Sequence, residues 1–206
     1  SHIILKNKLD GGLILTASHN PGGIDGDFGI KYATATGGQC QPAESQTIQE
    51  QTLSIREYRI SDCPDIDLST VRTARCENTE VEIIDPFADY IEMMEGIFDF
   101  ARLKELLTSD FRFVFDAMNG VTGPYGKKIF EEILGAPAGS VINAVPLEDF
   151  GGLHPDPNLI YAKHLVDLMY SEAAPDFAAA NDGDGDRNMI LGKKFFVTPS
   201  DSLAIL

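Results

Sequence analysis

Basic residues are scarce in this chain: 16 Lys and Arg stand against 32 Asp and Glu over 206 residues, a formal net charge of −16. So acidic a protein lacks the basic face that nonspecific binding to nucleic acid or to an anionic membrane requires. Cysteine is rare as well. Cys40, Cys63 and Cys76 are odd in number and far apart, with no C-x-x-C spacing to clip a metal or carry redox chemistry. That usage fits a reducing, intracellular compartment. No apolar run approaches the ~18 residues needed to cross a bilayer. The start, Ser1 to Asp10, is an apolar patch broken by Lys6 and Lys8, without the features of a signal peptide. A cytoplasmic location without membrane insertion is therefore expected. Low-complexity tracts and short internal repeats are also missing.

Hydrophobic residues make up 43% of the chain and charged residues 23%, the balance of a folded protein and not of an acidic tail. At about 100 to 200 residues per domain, the length allows one large domain or two small ones. Ser1 to Asp10 reads as the last turns of an amphipathic helix stopped by Gly11. At the other end Pro199-Ser200-Asp201 opens a helix whose Leu203, Ala204, Ile205 and Leu206 run to the terminus. Both ends thus read as lying inside elements, as in a piece of a longer polypeptide.

Between them strands and helices alternate. Gly12 to Thr16 is a continuous apolar run, expected as a strand buried on both faces. A helix is expected within Glu44 to Arg56, a strand at Val81 to Ile84, and a helix from Asp85-Pro86 with Phe87, Tyr90, Ile91 and Met94 on one side. Helical sequence continues over Phe98 to Leu107. A strand Phe111 to Phe115, a helix Pro124 to Leu134 closed by Gly135, and a strand Val141 to Val145 come next. A helix Leu159 to Tyr170 and a strand Phe177 to Ala180 follow. The order predicts a largely parallel α/β architecture. The polar stretch Ser61 to Asn78 reads as a connection, placing a boundary near Ile84 between units 1–84 and 85–206.

Two loops carry the chemistry. Thr16-Ala-Ser18-His19-Asn-Pro-Gly-Gly23 follows an apolar strand, where glycines let backbone N–H groups approach an anion and Ser18 sits as a nucleophile would. The same residues also read as a tight turn with surface Ser and His before it. Ser18 and His19 are adjacent and diverge on an extended chain, so they do not form a protease dyad, and no G-x-S-x-G elbow is present. The second loop, Asn181-Asp-Gly-Asp-Gly-Asp-Arg187, spaces Asp182, Asp184 and Asp186 at alternate positions. Their mutual repulsion calls for a divalent cation. An EF-hand would need Gly and Glu at its sixth and twelfth positions, and Arg187 and Lys193 stand there. A solvated acidic turn is the weaker alternative. Few oxygen ligands beside an arginine suit Mg²⁺, with Arg187 placed to grip a phosphate and Ser18 as the side chain to carry one. Lys31, in Gly26-Asp-Phe-Gly-Ile-Lys31, reads either as a surface lysine or as an acid or base in such a site.

Gly12-Leu-Ile-Leu-Thr-Ala-Ser18-His-Asn-Pro-Gly-Gly23, Gly26 to Lys31, Pro146-Leu-Glu-Asp-Phe-Gly-Gly152, His154-Pro-Asp-Pro-Asn158 and Asp182 to Arg187 together resemble the eukaryotic phosphoglucomutases of the alpha-D-phosphohexomutase family. The resemblance spans nearly the whole chain. It implies two consecutive α/β units out of four: 1–84 the latter part of a phosphoserine-loop domain, 85–206 most of a metal-binding-loop domain. It further implies that Ser18 carries the phosphoryl group and ligates Mg²⁺ with Asp182, Asp184 and Asp186. By the same resemblance His19 and Lys31 assist proton transfer and phosphate handling, and Arg187, with Asp186 and Ser18, meets the substrate. The implied reaction interconverts glucose 1-phosphate and glucose 6-phosphate through glucose 1,6-bisphosphate, with the family's third and fourth domains completing the site. Asn181 departs from the apolar residue the pattern leads one to expect. The alternatives are a non-catalytic, structural or exocytosis-associated relative and a phosphomannomutase.

Overall fold

The computed structural model describes residues 1–205, so Leu206, the last apolar residue of the expected C-terminal helix, lies outside them. The chain forms two compact units: Ser1–Ile14 with Tyr32–Met94, and Leu15–Lys31 with Glu95–Leu206. The serine loop therefore belongs to the same unit as the acidic loop, although it precedes Ile84 in sequence.

Helix α1, His2–Asn7, stops at Lys8 and not at Gly11, because Lys8 adopts φ 53° and its N–H caps the carbonyls of Ile4 and Leu5. Strands β1 (Gly11–Thr16) and β2 (Gly29–Thr34) pair in a two-stranded ribbon. β1 is not buried on both faces as its apolar run predicts: Leu13 is 70% exposed and Leu15 63%. It has one neighbouring strand, and the buried Ile4 of α1 approaches it at Gly12, where a β-carbon would lie 3.1 Å from Ile4 Cδ1.

Helix α2, Pro42–Ser54, begins with a capping box in which Gln41 and Glu44 satisfy each other's backbone N–H groups. Strands β3 (Arg72–Cys76) and β4 (Thr79–Ile83) form an antiparallel hairpin. β3 falls in the stretch expected to be a mere connection. Its polar sequence hides a strand held by backbone hydrogen bonds more than by apolar burial. Cys63 and Cys76 are joined by a disulfide, leaving Cys40 free. The cysteines are thus not three unpaired thiols, and their count carries no argument for a reducing compartment.

Helix α3, Ala88–Ile97, and helix α4, Phe100–Leu107, meet at Asp99, whose carboxylate caps the Arg102 N–H at 3.0 Å. The second unit is built on a five-stranded sheet. β5 (Phe113–Asp116) leads to α5 (Thr122–Gly126), which continues into a π-helix, Lys127–Ile133, ended by Gly135 at φ 75°. β6 (Val141–Ile142), α6 (Lys163–Tyr170), β7 (Phe177–Asn181), β8 (Asn188–Gly192), β9 (Phe195–Val197) and α7 (Pro199–Ile205) complete it. The sheet order is β6-β5-β7-β8-β9. β5 runs parallel to β6 and β7, whereas β8 and β9 are antiparallel to their neighbours. The sheet is mixed, not largely parallel, because β7 turns straight back through the acidic loop instead of crossing over by a helix.

The alternation of the strands sorts the core into two layers. Ala178, Ala180, Met189 and Leu191 face α6, whose Leu165 and Met169 are fully buried against them. Phe113 and Phe115 face the other way, with Leu107, Phe130 and Leu134. Gly126 is fixed by this packing, since a β-carbon there would sit 2.9 Å from the Phe115 ring. Leu165→Ala should cost about 2 to 5 kcal/mol through the cavity it leaves. Leu203→Ala, at a 78% exposed position of α7, should change stability by under about 0.5 kcal/mol. Denaturant unfolding of the two variants checks the contrast.

Candidate active site

β1 hands the chain to the serine loop, where Ser18 sits at φ 58°, a left-handed conformation that costs a non-glycine residue of order 1 to 3 kcal/mol. The Ser18 N–H donates to Thr16 Oγ1 at 2.7 Å, and the Asn20 N–H to the Ala17 carbonyl at 3.1 Å. The loop is thus a tight turn, and it is also where the chemistry gathers. His19 Nδ1 lies 3.5 Å from Ser18 Oγ, at the outer limit of a hydrogen bond. β2 brings Lys31 back beside it: Lys31 Nζ is 3.4 Å from Ser18 Oγ, 2.5 Å from Asp184 Oδ2 and 2.9 Å from Asp186 Oδ2.

The acidic loop is the turn of the β7–β8 hairpin, closed by the pairing of Asn181 with Asn188. Asp182 Oδ1 accepts the Arg187 N–H at 2.9 Å, and Gly185, at φ 79°, allows the reversal between them. One oxygen from each of Asp182, Asp184 and Asp186 lies within 4.8 Å of the others. Asp182 Oδ2 and Asp184 Oδ1 are buried and have no hydrogen-bond partner among the described residues. Orphaned carboxylate oxygens of this kind are costly unless a cation or water meets them. An all-oxygen donor set with two such atoms fits a hard divalent cation.

Gly183 lets the two loops touch. A β-carbon there would lie 2.4 Å from the Ser18 carbonyl oxygen and 2.7 Å from the Phe150 ring. The Gly183 carbonyl in turn accepts the Val121 N–H at 3.0 Å.

Electrostatics follow from this crowding. Burial, reinforced by the charges of Asp184 and Asp186, pushes Asp182 up to about 6 against the opposing pull of the Arg187 N–H. Burial also acts to raise Asp184, but hydrogen bonds from Lys31 and Thr16 outweigh it and hold that carboxyl below its ordinary value. For Lys31, burial acts to lower the pKa, and the two aspartates reverse the effect, so the ammonium stays charged. As an ammonium it donates to both Asp184 and Asp186.

All seven residues singled out in the sequence lie in one unit, and the geometry draws Ser18, His19, Lys31 and the three aspartates into one cluster. Arg187 stands at its edge: its side chain is half-exposed, with Nη1 3.9 Å from Asp156 Oδ1. Asn181, the departure from an apolar residue, is satisfied by donating to the Arg187 carbonyl at 2.8 Å. Sequence reasoning missed Thr16, whose hydroxyl donates to Asp184 Oδ2 at 3.0 Å, and Gly183. It also gave no role to Asp156, although the motif holding it was noted. Thr16 reads as the last residue of a strand, and nothing local shows that its partner lies 168 positions away. Gly183 had a visible signal, its place between two aspartates, but the reason for it is a contact with a distant loop.

Residues 1–59 match the family model for phosphoglucomutase/phosphomannomutase alpha/beta/alpha domain I, and residues 88–194 match that for domain II. The chain is 56% identical over its whole length to chloroplastic phosphoglucomutase from Arabidopsis thaliana, covering 33% of that protein. Over 97% of its length it is 51% identical to cytoplasmic phosphoglucomutase from Populus tremula, covering 36% of it. A crystal structure of the exocytosis-sensitive phosphoprotein pp63/parafusin (phosphoglucomutase) from Paramecium superposes on the whole chain with a TM-score of 0.92 at 46% identity, and 40% of that chain is covered. The chain therefore spans little more than a third of the relatives it matches. A serine loop and an acidic hairpin meeting through Gly183, on domains matched in order along the sequence, make this chain a member of the phosphoglucomutase/phosphomannomutase family.

Proposed function

We propose that the protein to which this chain belongs is a phosphoglucomutase, interconverting glucose 1-phosphate and glucose 6-phosphate through a phosphoserine enzyme and glucose 1,6-bisphosphate. The observation that carries the reading is Lys31 Nζ, 3.4 Å from Ser18 Oγ and bonded to both Asp184 and Asp186. A hydroxyl, a cation and a set of carboxylates with orphaned oxygens are assembled where a phosphoryl group would be handled. The names of the plant relatives support it. Asp182, Asp184, Asp186 and the phosphorylated Ser18 would hold Mg²⁺. When bound, that ion neutralises charge on the phosphoryl oxygens.

Ser18 carries the phosphoryl group on Oγ. In the forward step the P–Oγ bond breaks and a bond forms from phosphorus to the sugar's free hydroxyl oxygen. The hydroxyl proton passes to the His19 imidazole. Lys31 donates to the serine oxygen as charge builds there, and Arg187 grips the phosphate of the substrate by a bidentate contact. In the second half the bisphosphate returns its other phosphate to Ser18. Such a reaction needs positioning and charge neutralisation above all. The remaining two thirds of the protein, with the family's third and fourth domains, would supply the sugar and distal-phosphate contacts. The gap between the two matched domains, residues 60–87, supports a division near Ile84. A cytoplasmic setting is part of the proposal, as in the Populus tremula relative. A purely structural role is not favoured, because a scaffold has no need of three converging carboxylates, two with buried unpaired oxygens, beside a strained serine.

Three outcomes follow. In the full-length protein, Asp184→Ala should abolish turnover and weaken Mg²⁺ dependence, while steady-state rates unchanged at limiting Mg²⁺ would sink the metal assignment. The 206-residue chain alone should turn over far below the ~1 to 10³ s⁻¹ usual for enzymes, as a coupled assay of glucose 6-phosphate formation would show. The third concerns pH. Asp182 has a folded pKa raised to about 6, above its unfolded value near 3.9. Its contribution to stability is present below about pH 4 and is lost as pH rises through about 6. Mg²⁺ offsets that loss, so the rise in Tm on adding Mg²⁺ should be larger at pH 7.5 than at pH 5. Equal shifts at the two pH values would count against Asp182 as a ligand.

A further inference from the structure

The hydroxyl of Thr16 joins the two halves of the site. It has one proton and two lone pairs. It accepts the Ser18 N–H at 2.7 Å and donates to Asp184 Oδ2 at 3.0 Å. Asp184 Oδ2 also receives Lys31 Nζ. Two donors on Oδ2 fix the rotation of the carboxylate, and its other oxygen, Oδ1, is left buried and unpaired. The same hydroxyl satisfies the amide of a residue held at φ 58°, a conformation that persists only where its surroundings impose it. Lys31 cannot replace Thr16 in this role: its ammonium reaches Ser18 through the side-chain oxygen and leaves the Ser18 amide untouched.

We propose that Thr16 is a positioning residue that couples cation binding to the presentation of Ser18, orienting Asp184 Oδ1 toward the ion and holding the Ser18 backbone through one hydroxyl. This rests on the reading of the aspartates as a Mg²⁺ site and adds a residue to which that reading gives no role. A ligand oxygen held by an outer hydrogen bond binds metal about 10- to 100-fold better than one left free. Because the hydroxyl is shared, order imposed on Asp184 by the ion is passed to the Ser18 amide without movement of any other element.

The test uses the full-length protein and Mg²⁺ alone. Calorimetric titration should give Thr16→Val, which keeps the shape and removes the hydroxyl, an affinity at least tenfold weaker than wild type. Thr16→Ser, which restores the hydroxyl, should lie within about threefold of wild type. Amide exchange of the wild-type protein in D₂O supplies a second readout that needs no variant to fold: saturating Mg²⁺ should slow exchange at Ser18 at least fivefold. Thr16→Val binding Mg²⁺ as tightly as wild type, or Ser18 exchange indifferent to Mg²⁺, overturns the coupling while leaving the mutase reading intact. A wild-type protein that takes up no Mg²⁺ overturns the metal site and the coupling together. Loss of affinity in Thr16→Val, in a protein that shows no mutase turnover, upholds the coupling and removes the proposed reaction.

Discussion

Three carboxylates confined within 4.8 Å of one another set the terms for everything around them. In a protein with a net charge of −16 their repulsion is not relieved by a basic surroundings, so relief has to be local. Lys31 provides part of it, bonding two of the three aspartates. The remainder shows in Asp182, whose pKa burial and its two acidic neighbours push up to about 6, and in two buried oxygens without partners among the described residues. A surface turn of the same composition would let its side chains splay into water. Asp182 cannot, because it is fully buried at the end of β7 and its Oδ1 is tied to the Arg187 N–H.

The stiffness that holds the trio comes from backbone contacts more than from side chains. Gly183 lies against the Ser18 carbonyl and the Phe150 ring, and Gly120 lies against Gly183 in turn, where a β-carbon would be 2.6 Å from the Gly183 carbonyl oxygen. Three segments far apart in sequence therefore approach at main-chain distance. Side chains that rest on such contacts lose little freedom when a ligand binds, as expected of a preorganised charge arrangement.

The loops were legible in the sequence because their chemistry is written in short runs. Ser18 at a strand end, and alternate aspartates separated by glycines, each point to a role before any fold is known. What the sequence could not show was the pairing. The acidic loop looked like the end of one strand, since β8 begins with Asn188 and lacks a strong apolar alternation until Met189 and Leu191. As a hairpin turn it is closed by the pairing of Asn181 with Asn188, which a strand end alone does not reveal. β1 erred in the opposite sense: Leu13, Ile14 and Leu15 promise a buried strand, but burial depends on what covers a residue, and local sequence does not carry that information. The disulfide between Cys63 and Cys76 was likewise invisible, because spacing alone cannot say which cysteines meet.

Strain and charge at this site constrain each other. Ser18 in the left-handed region points its hydroxyl toward Lys31 and its carbonyl toward Gly183. Relaxing the backbone to an ordinary conformation would withdraw the hydroxyl from the only ammonium bonded to the aspartates among the described residues. The conformational cost is thus offset in part by Lys31 and the trio, beside the Thr16 hydroxyl that meets the Ser18 amide. Conversely, Asp184 and Asp186 raise the Lys31 pKa against the lowering effect of burial, so the ammonium and the two carboxylates stabilise one another. A site built on such mutual dependence has no independent parts. Removing one member changes the energy of the rest by more than the contact it made, as expected for a polar network of low local dielectric.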